Sequence, residues 1–148
     1  MYAIIKTVRR GPISVFSIEE APYSVTTQGK PFLRRSWYGE IKGEYDRIML
    51  WSSDSLLSVL RCESQIFIDG TFRCMPAGFF QCVTILSFDP STNQFLPCVW
   101  ALLTGKKENL YCELLHQIVV LLDYRWMPKI CTVDFELPLI KAVRYQFQ

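Results

Sequence analysis

Two short stretches of this chain place acids where a buried strand would carry only apolar side chains. Residues 66–72 read IFIDGTF and residues 129–134 read KICTVD. In the first, an apolar run ends in Asp69; in the second, Asp134 closes the run. A carboxylate is among the groups least often buried without a partner. Each acid therefore either punctuates a strand end or supplies charge for chemistry. Taken alone, Asp69 with Gly70 is a common turn pair, and Asp134 is a common helix N-cap. Taken together they admit another reading. Two carboxylates held side by side repel unless they share a proton or a cation. Hard divalent ions such as Mg²⁺ or Mn²⁺ take oxygen ligands of this kind. Two such ions about 4 Å apart activate a water and stabilise the leaving oxygen in phosphodiester chemistry.

The elements that must position the pair follow from periodicity. QIFID (65–69), FFQCVTILSFD (79–89), QFLPCVWALLT (94–104) and KICTVD (129–134) read as strands, with PSTN (90–93) as a turn. Pro97 puts its stretch at an edge, a bulge or a strand start. KKENLYCELLHQIVVLLDYRW (106–126) is predicted to be the principal helix. Leu110, Leu114, Ile118 and Leu122 recur every four residues, with Tyr111, Leu115 and Val119 beside them. Glu108 and Arg125 agree with the helix dipole. FELPLIKAVRYQF (135–147) is predicted to be a second helix, with Leu139, Ile140, Val143 and Phe147 as its stripe and Pro138 in its first turn. The order β-β-β-α-β-α predicts a mixed sheet in which the first and fourth of these strands run parallel and adjacent. Asp69 and Asp134 would then meet at the carboxyl ends of parallel strands, where ligands tend to bind.

Residues 1–62 form a lead-in. Residues 11–31 carry Pro12, Pro22, Pro31, Gly11 and Gly29 and read as irregular or extended. PFLRRSWY (31–38) and RIMLW (47–51) read as two strands flanking an exposed connection. SSDSLLSVLRC (52–62) reads as a short helix capped by Ser53 or Asp54, with Leu56, Leu57 and Leu60 on one face.

Composition narrows the class. A chain of 148 residues that is half apolar and 14% aromatic is long enough for a real core and is not disordered. A net charge of +2 does not identify a nucleic-acid binder. Six cysteines without a CxxC pair, several inside apolar runs, predict a reducing compartment with no disulfide framework and no zinc site. The apolar stretch of MYAIIKTVRRGP is too short for a signal peptide, and no run of about 18 apolar residues predicts a membrane span. A nuclear or cytoplasmic protein, not a secreted one, is expected.

With these motifs in place the chain resembles the Mutator-like (MULE) transposases, whose catalytic domain has an RNase H-like fold. The resemblance rests on IFIDGTF around Asp69, PCVWALLTGKKENLY (97–111) and TVDFE (132–136) around Asp134. RIMLWSSDSLLSVLRCES (47–64) is similar to the family's lead-in. It covers roughly residues 30–148 and is strongest from 65 onward. It implies an α/β, RNase H-like mixed sheet, truncated before the last strand and helix, with residues 63–148 as a partial catalytic domain. It implies a DDE-type site whose first acid maps onto Asp69 and second onto Asp134, with the third falling downstream of Gln148. Those acids would be ligands of a two-metal site holding Mg²⁺ or Mn²⁺. DNA, as transposon ends and target, would be the partner, and metal-dependent strand cleavage and transfer the activity of the full-length protein. The alternative is an inactive or domesticated remnant that binds DNA or protein. An RNase H-like exonuclease fits less well, because Asp69-Gly70-Thr71 stands where that pattern wants Asp-x-Glu. The missing strand and helix would leave a sheet edge and apolar surface exposed, inviting self-association.

Other polar residues carry weaker signals. Arg73 follows DGTF and reads equally as a phosphate contact or as a solvent-facing charge. Glu136 reads as a surface acid favoured by the helix dipole rather than as a ligand. Lys106 and Lys107 read as a solvated loop. Glu113 and His116, three apart but off the apolar stripe, read as a solvated face. The four tryptophans read as packing residues, with Trp37, beside Arg34 and Arg35, the one placed to touch DNA. GEIKGE (39–44) carries no phosphate-loop pattern.

Overall fold

A computed structural model describes residues 22–62, 65–73 and 75–148. The apolar N-terminal stretch, most of the irregular segment and Cys74 lie outside the described residues. The chain forms an α/β structure with one mixed six-stranded sheet in the order β1-β2-β5-β4-β3-β6. The strands are β1 (Leu33–Ile41), β2 (Glu44–Trp51), β3 (Gln65–Thr71), β4 (Gln81–Asp89), β5 (Gln94–Leu103) and β6 (Ile130–Val133). The described helices are α1 (Asp54–Cys62), α2 (Glu108–Leu121) and α3 (Leu137–Phe147). The predicted order from residue 65 is thus present, and the hairpin β1–β2 extends the same sheet by pairing β2 with β5.

Alternation divides the sheet into two faces. On β2, Ile48 and Leu50 join Ile66, Ile68, Val83, Ile85, Val99, Ala101 and Leu103 in the main core, while Met49 and Trp51 join a smaller cluster with Phe79. The expected stripe of α2 is buried as a unit: Leu110, Tyr111, Leu114, Leu115, Ile118, Val119 and Leu122 all lie in the main core. Leu57 and Leu60 of α1 and Leu139 and Ala142 of α3 complete it. Each fully buried aliphatic side chain contributes about 1.5–3 kcal/mol, so the six aliphatic positions of this stripe go far toward fixing α2 against the sheet.

Several boundaries differ from expectation for identifiable reasons. The connection GEIKGEYD is exposed at Glu40 and at residues 42–45 as expected but is shorter: β1 and β2 run through it to a two-residue turn. Lys42 and Gly43 both take positive φ, 53° and 82°, the geometry that matches hairpin twist. The helix α2 stops at Leu121 rather than running to Trp126. Asp123 and Tyr124 enter the left-handed region, at φ 53° and 59°, and the Tyr124 N–H donates back to Val119 O at 2.9 Å. That turn brings Trp126 inward, where its ring meets Phe147 edge to face at 5.0 Å. Ser53 caps α1, its hydroxyl accepting from Leu56 N at 3.3 Å. Pro97 falls at a register shift between β4 and β5. Pairing of β5 with β2 begins only at Trp100, so Pro97 lies before the stretch where β5 is paired on both sides.

The tryptophans do pack. Trp37 lies against the main core, its ring so close to Gly39 that a Cβ there would sit 2.5 Å from it. Arg34 beside it is committed to Asp54 at 2.8 Å and to Ser52 O. The five described cysteines are unbonded. Among the described residues no helix is long and apolar enough to cross a membrane.

Candidate functional site

The site is set by one strand pairing. β3 and β6 run parallel, with Ile66 beside Cys131, Phe67 beside Thr132 and Ile68 beside Val133. The residue that follows this pair in the chain is an acid in both cases, Asp69 within β3 and Asp134 just past β6, and both are exposed. β5 also runs parallel to β3, through β4. The carboxyl ends of β3, β5 and β6 therefore share one end of the sheet, with the first turns of α2 and α3. Ile66 and Ile68 are buried in the main core, so alternation turns Asp69 to the opposite face.

Neither acid plays the local role its type suggests. Asp69 is not in a turn: β3 continues through Gly70 and Thr71, and Asp69 is paired with Thr84. Its carboxylate accepts no hydrogen bond among the described residues. Asp134 lies one residue beyond β6 and does not cap α3, whose N-cap position is Glu136. Its Oδ1 accepts from the Phe135 N–H at 2.7 Å, a contact that fixes the carboxylate against its own backbone.

Beneath this edge lies a buried polar network absent from the expectations above. Gln81 and Tyr111 are both essentially inaccessible. Gln81 Nε2 donates to Gly105 O and to Tyr111 Oη, each at 2.8 Å. Tyr111 Oη lies 3.0 Å from Glu136 Oε2 and 3.2 Å from Gln81 Oε1. A phenol has one proton, and a carboxylate is the stronger acceptor, so that proton goes to Glu136. Burial, with the Glu136 carboxylate adding to it, pushes the Tyr111 phenol well above its ordinary range despite the Gln81 contact. The network ties together the start of β4, the loop before α2, α2 itself and the start of α3. Gly70 permits it: a Cβ there would sit 3.0 Å from Gln81 Oε1.

Glu136 is therefore not the surface acid that its position at a helix start suggested. It is partly buried, and its Oε1 is sealed from solvent without a partner. Lys107 is exposed in the loop before α2, as expected, and its charge is shared: it pairs with Glu44 and lies 3.5 Å from the buried Asp46. Asp46 also accepts from Thr104 Oγ1 at 2.9 Å. Lys106 stays exposed, its Nζ 5.8 Å from the centre of the Phe80 ring. Arg73 is exposed in the bend after β3. Glu113 accepts from Gln117 at 2.6 Å, and His116 is exposed on the outer side of α2.

One signal could have revealed the network. A glutamine set in FFQCVTIL, and a tyrosine on a helix's apolar stripe, must each find a partner when buried. Which partner was not readable, because the contacts cross long sequence separations.

As a metal site the pair is partial. Asp69 and Asp134 offer hard oxygen donors on neighbouring strands, but among the described residues no group of three His, Cys, Asp or Glu is arranged to hold an ion. Near-octahedral Mg²⁺ needs further oxygen donors. Compared with known proteins, the chain matches no family model, no curated protein and no solved structure.

Proposed function

We propose that this chain is the N-terminal portion of a Mutator-like, DDE-type transposase. On this reading residues 63–148 form part of an RNase H-like catalytic domain that cleaves and transfers DNA strands in the full-length protein. The observation that carries it is the parallel register of β3 and β6, which sets Asp69 and Asp134 level at one end of the sheet. Asp69 and Asp134 bind Mg²⁺ or Mn²⁺ with a third acid supplied from outside residues 1–148. When bound, the ions supply an activated water and stabilisation of the leaving oxygen. Within this chain, Asp134 is held by Phe135 N–H, and the Gln81–Tyr111–Glu136 network anchors the segment that follows it.

Metal-dependent thermal stability tests this. A ligand that binds only the folded state at about 100 times its Kd stabilises by about 2.7 kcal/mol. Mn²⁺ is expected to raise the melting temperature of the chain, and Asp69→Asn or Asp134→Asn to remove most of the rise. A rise that survives both substitutions, or none in the parent chain, would overturn the assignment of these acids as ligands and favour the remnant.

A further inference from the structure

Three phenylalanines stand out at the aspartate end of the sheet. Phe72, Phe80 and Phe135 keep 49%, 45% and 97% of their surface exposed. Phe135 follows Asp134 directly, and the N–H that fixes the Asp134 carboxylate is its own. The Phe72 ring lies on the Gly70 Cβ side of β3, the same side as Gln81 and the opposite face from Asp69; a Cβ on Gly70 would lie 3.5 Å from Phe72 Cζ. Phe72 and Phe80 meet edge to face with centroids 5.8 Å apart. Phe80 is anchored through its backbone, its N–H donating to Leu103 O at 2.8 Å. Burial of such rings would be favourable, so three left exposed at one end of the sheet mark a surface open to a ligand.

The charges beside the rings indicate the ligand. Arg73 follows Phe72, and Lys106 stands over Phe80. Flat apolar faces interleaved with exposed cations suit a polyanion that carries flat apolar groups: bases on the rings and phosphates on the cations. Duplex DNA keeps its base faces stacked inside the helix, so only an unpaired strand can use such rings.

We propose that Phe72, Phe80 and Phe135 form a stacking platform for unpaired nucleotides at the aspartate end of the sheet. This rests on the reading of Asp69 and Asp134 as a phosphodiester site and narrows its substrate to a strand that is locally single. The contacts are sequence-tolerant, because every base has a π face.

The test is fluorescence anisotropy of the full chain at low salt in EDTA. The probes are a labelled single strand of about 15 nucleotides and a blunt duplex of the same sequence. EDTA removes divalent ions, so the outcome does not depend on whether the aspartates hold metal. The single strand is expected to bind at least about tenfold tighter than the duplex. Phe135→Ala is expected to weaken it about 5- to 160-fold, the range for loss of one stacked base. Phe135→Leu, apolar but without a π face, should weaken it as Ala does, and Phe135→Trp should retain it. Because Phe135 is almost wholly exposed, these variants keep the fold. Arg73→Glu and Lys106→Glu should each weaken binding and flatten its salt dependence. Equal affinity for single strand and duplex, no binding of either, or a Phe135→Leu variant that binds like the parent would overturn the proposal. A normal Mn²⁺ response alongside any of these would leave the metal-site reading standing and remove only the platform.

Discussion

Asp69 and Asp89 lie near opposite ends of the same antiparallel pair, β3 and β4, and they make opposite use of the same side chain. Asp89 closes β4 and spends its carboxylate on the next turn. It accepts from Ser91 N at 2.9 Å, Ser91 Oγ at 2.7 Å and Thr92 Oγ1 at 3.0 Å. Asp69 lies flat in the ladder opposite Thr84, and its carboxylate accepts nothing among the described residues. The backbone of β3 would pair equally well with another residue at that position. An acid that shapes its own turn is explained by folding, whereas one held out from a strand that does not need it has its charge free for a ligand. The surroundings deepen the contrast. The Asp69 end also gathers Asp134, two helix starts and a buried polar network, while the Asp89 end is a local turn.

The largest expected effect breaks this contrast if it fails. On the proposed transposase reading, Asp69→Asn and Asp134→Asn should each lower metal-dependent strand cleavage by the full-length protein by about 100-fold or more, equivalent to about 2.7 kcal/mol of barrier. Asp89→Asn should leave cleavage within about twofold, since its role is confined to a turn at the far end. Comparable losses at Asp69 and Asp89 would show that both act through folding alone.

The next effect concerns what lies beneath the aspartates. Tyr111→Phe deletes a hydroxyl that Gln81 donates to and that donates to Glu136. It leaves buried polar atoms without partners, so urea unfolding should show a loss of about 1–3 kcal/mol. Gly70→Ala should cost less, about 1 kcal/mol, because an extended backbone tolerates Ala and only the 3.0 Å approach to Gln81 Oε1 must relax. The two should not add, since both act through the Gln81 side chain. Strict additivity would mean that Gly70 and the network are independent.

The same contrast separates what was legible in the sequence from what was not. The strand order, the α2 stripe, the PSTN turn and the parallel meeting of Asp69 with Asp134 all rest on periodicity and local turn chemistry, which a sequence displays. The length of the GEIKGEYD connection misled because its glycines resemble a loop, although one of them supplies the positive φ of a hairpin turn and Gly39 makes room for the Trp37 ring. Glu136 misled because a helix start is normally wet; here Tyr111 from another helix reaches it. Asp69 and Asp134 could be named from their own segments, but the residues that support them come from β4, α2 and the loop before α2. Such partners are set by tertiary packing, which leaves only the trace of a polar residue in an apolar run.

The smallest effect belongs to Asp89 and sharpens its side of the comparison. Its carboxyl is held below the ordinary carboxylate range, first by the Ser91 hydroxyl, then by the Ser91 N–H and by Thr92. A depressed folded-state value means that the unfolded chain takes up the proton first as the pH falls. The stability from these hydrogen bonds is therefore fully present above the unfolded value of about 3.9 and fades as the pH drops through the folded value. Urea midpoints of the parent and of Asp89→Asn should differ most near neutral pH and converge as the pH falls through the folded value. Ser91→Ala should remove the largest part of that pH-dependent difference while keeping the Ser91 N–H contact. A gap that stays constant down to low pH would mean that the turn needs only an acceptor of this shape and not its charge. Asp89 would then differ from Asp69 in geometry alone.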